Sequence, residues 1–391
     1  MNRHQKKIIN YGKQHIFQTN FLKVKNSLKS NFLTTGPSVD NFENKIKKYT
    51  KSNYVSVCSS GTSALHCALN AVNLKKNDVV IMPVINFIAA YSMCSLLKAK
   101  IYLADTNTEG EMKPNNVYDC IKKNKIKKIK LIINMDLGGK PNSPTEFYQL
   151  KKKFKCFLIL DGCHSFGANY LYKNKRYKVG CSKHADITTF SFHPVKTITT
   201  GEGGAITTNS LALYKKINIF RSHGIVRNKK EYWNYDIREL AFNYRISDIN
   251  CSLGIDQLKY INSILDKRKK IALKYFELFK PLKDFFLLPE KKSLNLSSWH
   301  LFIIRIKVEN FKKNCYKDDL IKFMIKNNIY LQFHYKPINK FSFYKEKKSK
   351  FENADIYYKT AISIPLYYSL TLNEQKKILS GLKKFTQINK K

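Results

Sequence analysis

The sequence predicts an α/β protein, with a large domain built on a mostly parallel sheet flanked by helices and a smaller α+β domain after it. Three observations predict it. Short, continuous apolar runs rich in β-formers recur through the first two-thirds of the chain, at 79–82, 101–104, 131–134, 157–160, 187–192 and 205–208. Helix-length stretches, such as 64–72 and 89–97, lie between several of them. Beyond about residue 250 the pattern changes to a long helical period followed by sparser strands.

A strand that is apolar along its whole length is buried on both faces, as parallel strands between two layers of helices are. The runs at 187–192 and 205–208 are too close for a crossover helix, so they are expected to form a tighter, hairpin-like element at one side of the sheet. From 249 to 278 a helical pattern places Leu253, Leu258, Ile261, Ile264 and Leu265 on one apolar face. A proline-containing stretch at 281–289 follows, then strand-like 301–306 and 329–335 and helices near 316–327 and 373–386. Residues 343–350 read as a solvated loop. The expected division is 1–250 for the large domain with its N-terminal segment, and 251–391 for the linking helix and small domain.

The 391 residues carry 71 Lys+Arg against 28 Asp+Glu, a formal charge of +43. Such a charge raises the question of nucleic acid. Only eight of the cations are arginine, the residue whose planar fork reads bases and phosphates, and the lysines are spread over most of the length. That distribution is compositional and argues against a nucleic-acid partner. With 43% hydrophobic and 25% charged residues the composition is globular. No apolar run reaches the roughly 18 residues of a membrane span; 79–91 is interrupted by Pro83 and Asn86. The basic N-terminus has no apolar stretch behind it, and the nine cysteines form no C-x-x-C pair, so reduced thiols and a cytoplasmic location are expected. No metal site is expected.

Four segments carry chemistry, each at a predicted strand end or helix start, where open α/β sheets place their sites. Ser59-Ser60-Gly61-Thr62-Ser63 follows the strand-like 54–57 and opens a helix. Free N–H groups there suit a phosphate, although the segment alone is also an ordinary Ser/Thr cap. Asp161 ends an apolar strand, with His164 three residues on. Lys196 follows another strand in an apolar, Gly/Thr-rich setting, where a desolvated amine can lose its proton and form a Schiff base with an aldehyde. Phe242-Asn243-Tyr244-Arg245-Ile246-Ser247-Asp248 opens the long helix. With Phe87 as an aromatic face, these supply what pyridoxal phosphate (PLP) needs: a phosphate nest, an acid for the pyridine nitrogen, a lysine for the aldehyde and a ring to stack on.

The chain resembles the DegT/DnrJ/StrS family of PLP-dependent nucleotide-sugar aminotransferases, of fold type I. The strings that carry the resemblance are SSGTSAL (59–65), DGCHSFGA (161–168), FSFHPVKTITTGEGGAI (190–206), RSHGI (221–225) and FNYRISDI (242–249). It implies that Lys196 binds the cofactor aldehyde, Asp161 pairs with the pyridine nitrogen, His164 contacts the phenolic oxygen and Phe87 stacks on the ring. It further implies that Gly61, Thr62 and Ser191 hold the phosphate. Asn243 would reach the phosphate of a neighbouring subunit, which makes the expected state a homodimer with shared active sites. Relatives with His in place of the lysine act as sugar dehydratases; Lys196 favours transamination. Within the family, 190–204, 221–225 and HYKPI (334–338) look most like the branch of pseudaminic acid biosynthesis, which implies glutamate as amino donor and a UDP-linked 4-keto sugar as acceptor. Perosamine, bacillosamine and 3-amino-sugar types remain alternatives. Arg221, His223, His334 and Tyr335 are the candidate sugar-site residues.

Overall fold

The computed structural model describes residues 8–228, 230–231, 233–312, 317–344 and 349–391. The strands of the large domain are β1 (Tyr54–Cys58), β2 (Val79–Pro83), β3 (Lys100–Ala104), β4 (Leu131–Met135) and β5 (Phe157–Asp161). They continue with a small hairpin, β6 (Asn169–Tyr172) and β7 (Lys175–Lys178), and then β8 (Ile187–Ser191) and β9 (Gly204–Thr208). Seven of them form one sheet in the order β1-β9-β8-β5-β4-β2-β3. The pairs β2–β3, β2–β4, β4–β5 and β5–β8 are parallel. Only β9 runs the other way, paired antiparallel with β8 and β1. The tight pair expected at 187–208 is therefore present, with β1 outside it.

This topology places the site. With β9 alone reversed, the carboxyl ends of β1, β2, β4, β5 and β8 all emerge at one edge of the sheet, and the loops after them meet there. Alternate residues of each strand feed opposite cores, as a period of two requires. Leu131, Ile133 and Ile159 pack with helices Gly61–Ala71 and Ile88–Leu96 on one face. Ile132, Leu158 and Leu160 pack with Phe42, Phe147 and Ile255 on the other.

Beyond the sheet come a short hairpin, β10 (Ile225–Arg227) and β11 (Tyr235–Ile237), and a three-stranded antiparallel sheet of β12 (Phe286–Leu287), β13 (Phe302–Ile306) and β14 (Ala361–Ile364). The chain is an α/β protein of fold type I with a smaller α+β part. The expected long helix is two, Asp248–Lys259 and Ile261–Leu278. The break falls at Tyr260, whose φ −94° and ψ 5° leave the helical well. Its ring stacks on Phe17 at 4.0 Å and its hydroxyl lies 2.8 Å from Thr19 Oγ1, so the N-terminal segment docks on the junction. Ile261 and Ile264 still belong to the large-domain core, whereas Ile271, Ala272 and Tyr275 belong to the small one. The two clusters thus part within the second helix.

Two other expectations differ. Residues 329–335 form no strand: Ile329 and Gln332 make single bridges, to Ile9 and Ser363. Ile9 is itself buried in the small-domain core, its N–H 2.9 Å from Asn328 O. In the expected loop at 343–350, Tyr344 is buried in the core and residues 345–348 lie outside the described residues. Among the described residues no helix is long and apolar enough to cross a membrane.

Tyr275 gives a clean test of the small-domain core. It is fully buried, and its hydroxyl donates to Pro365 O at 2.7 Å. Tyr275→Phe leaves that carbonyl unpaired and is expected to cost about 1–3 kcal/mol, read as a lowered urea midpoint with an unchanged slope. An unchanged midpoint would show that the bond contributes nothing.

Candidate active site

A cavity of about 470 Å³ opens where the strand ends converge. The loop after β1 supplies its floor. Ser60 caps the helix Gly61–Ala71: its Oγ accepts from Ser63 N at 3.1 Å, while Ser63 Oγ accepts from Ser60 N at 2.9 Å. The first N–H groups of the helix, at Gly61 and Thr62, have no intrahelical partner and lie at the positive end of its dipole, a seat for an anion. A Cβ on Gly61 would stand 2.9 Å from Ser191 Cβ and 3.2 Å from Cys163 Sγ, so the missing side chain is what keeps this seat open between the ends of β5 and β8.

Asp161 closes β5 and is buried, its Oδ1 accepting from Cys163 N at 3.1 Å. Burial raises its pKa; hydrogen bonding from Cys163 and the charge of Lys196 act in the opposite sense. Lys196 sits on the turn after β8, its N–H 2.9 Å from His193 O. Its side chain is open to the cavity, yet its ammonium is surrounded by protein, and this desolvation lowers its pKa against the pull of Cys163 and Asp161. The amine is thereby made available as a nucleophile.

Phe87, after β2, turns a half-exposed ring into the cavity, 5.6 Å from the ring of Tyr335. His164 is buried, with its ring 4.3 Å from that of His300. His334 Nδ1 lies 2.8 Å from Ser363 Oγ, and burial reinforced by Lys196 pushes its pKa down to about 3, so it is neutral. One cavity therefore gathers Lys196, Asp161, His164, Gly61, Thr62, Phe87, Ser191, His334 and Tyr335.

Three residues named from the sequence do not line it. Arg221 lies away from it: its half-buried guanidinium pairs with Glu43 at 2.5 Å and donates to Val57 O at 2.7 Å. His223 is exposed and its N–H binds Phe242 O at 3.0 Å. Asn243 is exposed and bridges Ser222. Conversely Tyr11, Cys163, His193, Glu202, His300 and Gln332 line the cavity without having been named. Cys163, His193 and Glu202 lay inside the strings quoted above. Tyr11, far away at the N-terminus, gave no signal.

The donor set suits PLP. The anion seat takes a phosphate, a buried acid with one backbone N–H partner suits a protonated ring nitrogen, and a desolvated amine suits an aldehyde. Held on the carboxyl edge of this sheet, they define a site for PLP. Comparison with known proteins narrows the class. The model of the DegT/DnrJ/EryC1/StrS aminotransferase family matches residues 14–383, and the chain belongs to that family. It is 37% identical over 371 residues, 94% of this chain and 95% of the other, to a UDP-4-amino-4,6-dideoxy-N-acetyl-beta-L-altrosamine transaminase of Campylobacter jejuni. Among solved structures it is similar to Helicobacter pylori PseC, an aminotransferase involved in the biosynthesis of pseudoaminic acid, with a TM-score of 0.88 and 27% identity over 97% of this chain and all of that one. It is also similar to the PLP form of the putative sugar aminotransferase Spr1654 from Streptococcus pneumoniae, with a TM-score of 0.86 and 26% identity over 97% and 99% of the two chains.

Asp136, just after β4, yields a pH test. It is buried, and Oδ1 accepts from Asn142 N at 2.8 Å. Burial raises its pKa to about 7, against hydrogen bonding from Ser165 and Asn142, with the charges of Glu111 and Asp161 adding a little. The folded chain then keeps a proton that the unfolded chain loses near its ordinary value of 3.8, so this group makes stability fall as pH climbs from about 4 to about 7. Asp136→Asn is expected to remove that slope, gaining stability at pH 8 and little at pH 4; parallel wild-type and variant curves would refute the assignment.

Proposed function

We propose that the chain transfers an amino group from L-glutamate to C4 of a UDP-linked 4-keto-6-deoxy-N-acetylhexosamine, giving the amino sugar nucleotide that leads to pseudaminic acid. The substrate rests on one observation: the near-full-length similarity to the Campylobacter relative that is named for this product. The cytoplasm is the compartment that fits such a nucleotide-linked substrate.

Each residue has a part. Gly61, Thr62 and Ser191 hold the cofactor phosphate at the helix N-terminus. Asp161 would pair with the ring nitrogen, whose positive charge would offset the cost of burying the carboxylate. Phe87 would cover one face of the ring, and the hydrogen-bonded pair of His164 and Tyr335 would lie by its oxygen. When bound, PLP supplies an electron sink for the pair left as the donor's Cα–H bond breaks. Lys196 Nζ would hold the cofactor aldehyde and, as a free amine, would take the proton from the donor's Cα and deliver one to C4 of the sugar. His334, Tyr335 and the unforeseen His300 and Gln332 form the wall on the substrate side.

A homodimer completes the site in this reading. Phe21, Leu22, Phe32 and Leu33 near the N-terminus, and Leu240 and Phe242 before Asn243, are large apolar side chains left exposed on one chain. Covering them with a second copy would bring Asn243 of one subunit to the phosphate of the other, and gives the exposed His223 a setting too.

Protein loaded with PLP is expected to show a visible absorption band that Lys196→Ala abolishes, with turnover lowered roughly a hundredfold to ten-thousandfold. A colourless wild-type protein in the presence of PLP would sink the reading. The acceptor is decided by offering UDP-, GDP- and dTDP-linked 4-keto sugars with glutamate and reading the configuration at C4. Turnover confined to the GDP sugar would replace the pseudaminic acid branch with a perosamine type.

A further inference from the structure

The hydrogen bonds of His164 and Tyr335 fix the direction of one proton. The backbone N–H of Gly138, on the loop after β4, lies 3.3 Å from His164 Nδ1. A backbone amide only donates, so Nδ1 holds a lone pair. The ring is neutral, because burial, Lys196 and His334 all press its pKa well below 6.5. A neutral imidazole with a bare Nδ1 carries its hydrogen on Nε2. Nε2 is 2.8 Å from Tyr335 Oη and donates to it. Tyr335 remains a phenol, since burial with Asp161 and Cys163 nearby raises its pKa well above 10. Its hydroxyl hydrogen is left over: among the described residues Oη has no second hydrogen-bond partner, and the ring lines the cavity beside Phe87.

The backbone sets this arrangement and the junction between the two domains locks it. Gly138 O accepts from Leu301 N at 3.1 Å, Gly139 O accepts from Ser298 N at 3.0 Å, and Ser298 Oγ donates to His164 O at 2.7 Å. The amide that selects the tautomer and the histidine that obeys it are thus tied to the same short segment before β13.

We propose that the Gly138 amide holds His164 as its Nε2–H tautomer and thereby makes Tyr335 an obligate hydrogen-bond donor to an oxygen of the substrate, either the carbonyl of the amino acceptor or a carboxylate oxygen of the amino donor. The identity of that ligand rests on the aminotransferase reading; the tautomer does not. Such a donor has a chemical consequence. A ketone oxygen accepts the bond, whereas the ammonium formed in its place has only hydrogens to offer and loses it.

Two measurements test this on the full chain. Long-range proton–nitrogen NMR of histidine-labelled protein without added cofactor, with the His164 signals assigned through His164→Gln, is expected to show a bare Nδ1 and a protonated Nε2 at neutral pH. A hydrogen on Nδ1, or an imidazolium, overturns the proposal whatever the enzyme does with substrates. In Tyr335→Phe, the KM of one substrate is expected to rise about tenfold, with the affinity for PLP unchanged. A rise for glutamate alone assigns the carboxylate, and a rise for the keto sugar alone assigns the carbonyl. Unchanged KM values, or a loss confined to PLP affinity, overturn it. Failure of the wild-type protein to convert glutamate would sink the functional reading separately, leaving the NMR result to decide the tautomer.

Discussion

The cavity depends on how closely three strand ends can approach. β9 is wedged antiparallel between β8 and β1, so the start of β9, the end of β8 and the end of β1 share one corner. At that corner a Cβ on Gly204 would stand 2.3 Å from Ser60 O and 2.9 Å from Phe190 O, inside any tolerable contact. Gly61 faces the same problem against Ser191 and Cys163. Two absent side chains therefore let a helix N-terminus, a buried carboxylate and a lysine occupy one small volume. A larger residue at either place would push the anion seat away from the acid and the amine.

Low dielectric does the rest. Within the cavity wall, His164, His300 and His334 are all driven neutral by burial. Their neutrality leaves any positive charge of the site to Lys196, whose pKa burial lowers, and to whatever cation Asp161 meets. It also turns the histidines into groups with one donor and one acceptor, whose direction is dictated by neighbours. The surface lysines that dominate the composition take no part. At most their field raises the local concentration of a pyrophosphate-bearing sugar and a dicarboxylate.

How much could be read beforehand follows from which interactions are local. The apolar runs at 131–134 and 157–160 were legible as strands because burial on both faces writes hydrophobicity into every position, and β4 and β5 fall within one residue of them. The run at 329–335 is rich in β-formers but is interrupted by Gln332 and His334; its partners are the N-terminal segment and β14, each met at a single residue, and no ladder forms. The continuous helical period at 249–278 concealed the break at Tyr260, which is set by Phe17 and Thr19 more than 200 positions earlier. Arg221 was singled out through the RSHGI string; its counter-charge, Glu43, arrives from another helix and is invisible in that string.

By itself the sequence determined the class of fold and the chemistry of the cofactor, through Lys196, Asp161 and the Ser60–Ser63 cap, because each sits at the end of an element whose period is written locally. Only the tertiary structure decided which other side chains face the reaction. Tyr11, His300 and Gln332 come from distant segments of the chain, and they meet in the cavity at the carboxyl edge of the large sheet. Distance along the chain carries no record of that meeting. The orientation of the Tyr335 proton is further removed still, since it is fixed by a backbone amide that every residue except proline possesses.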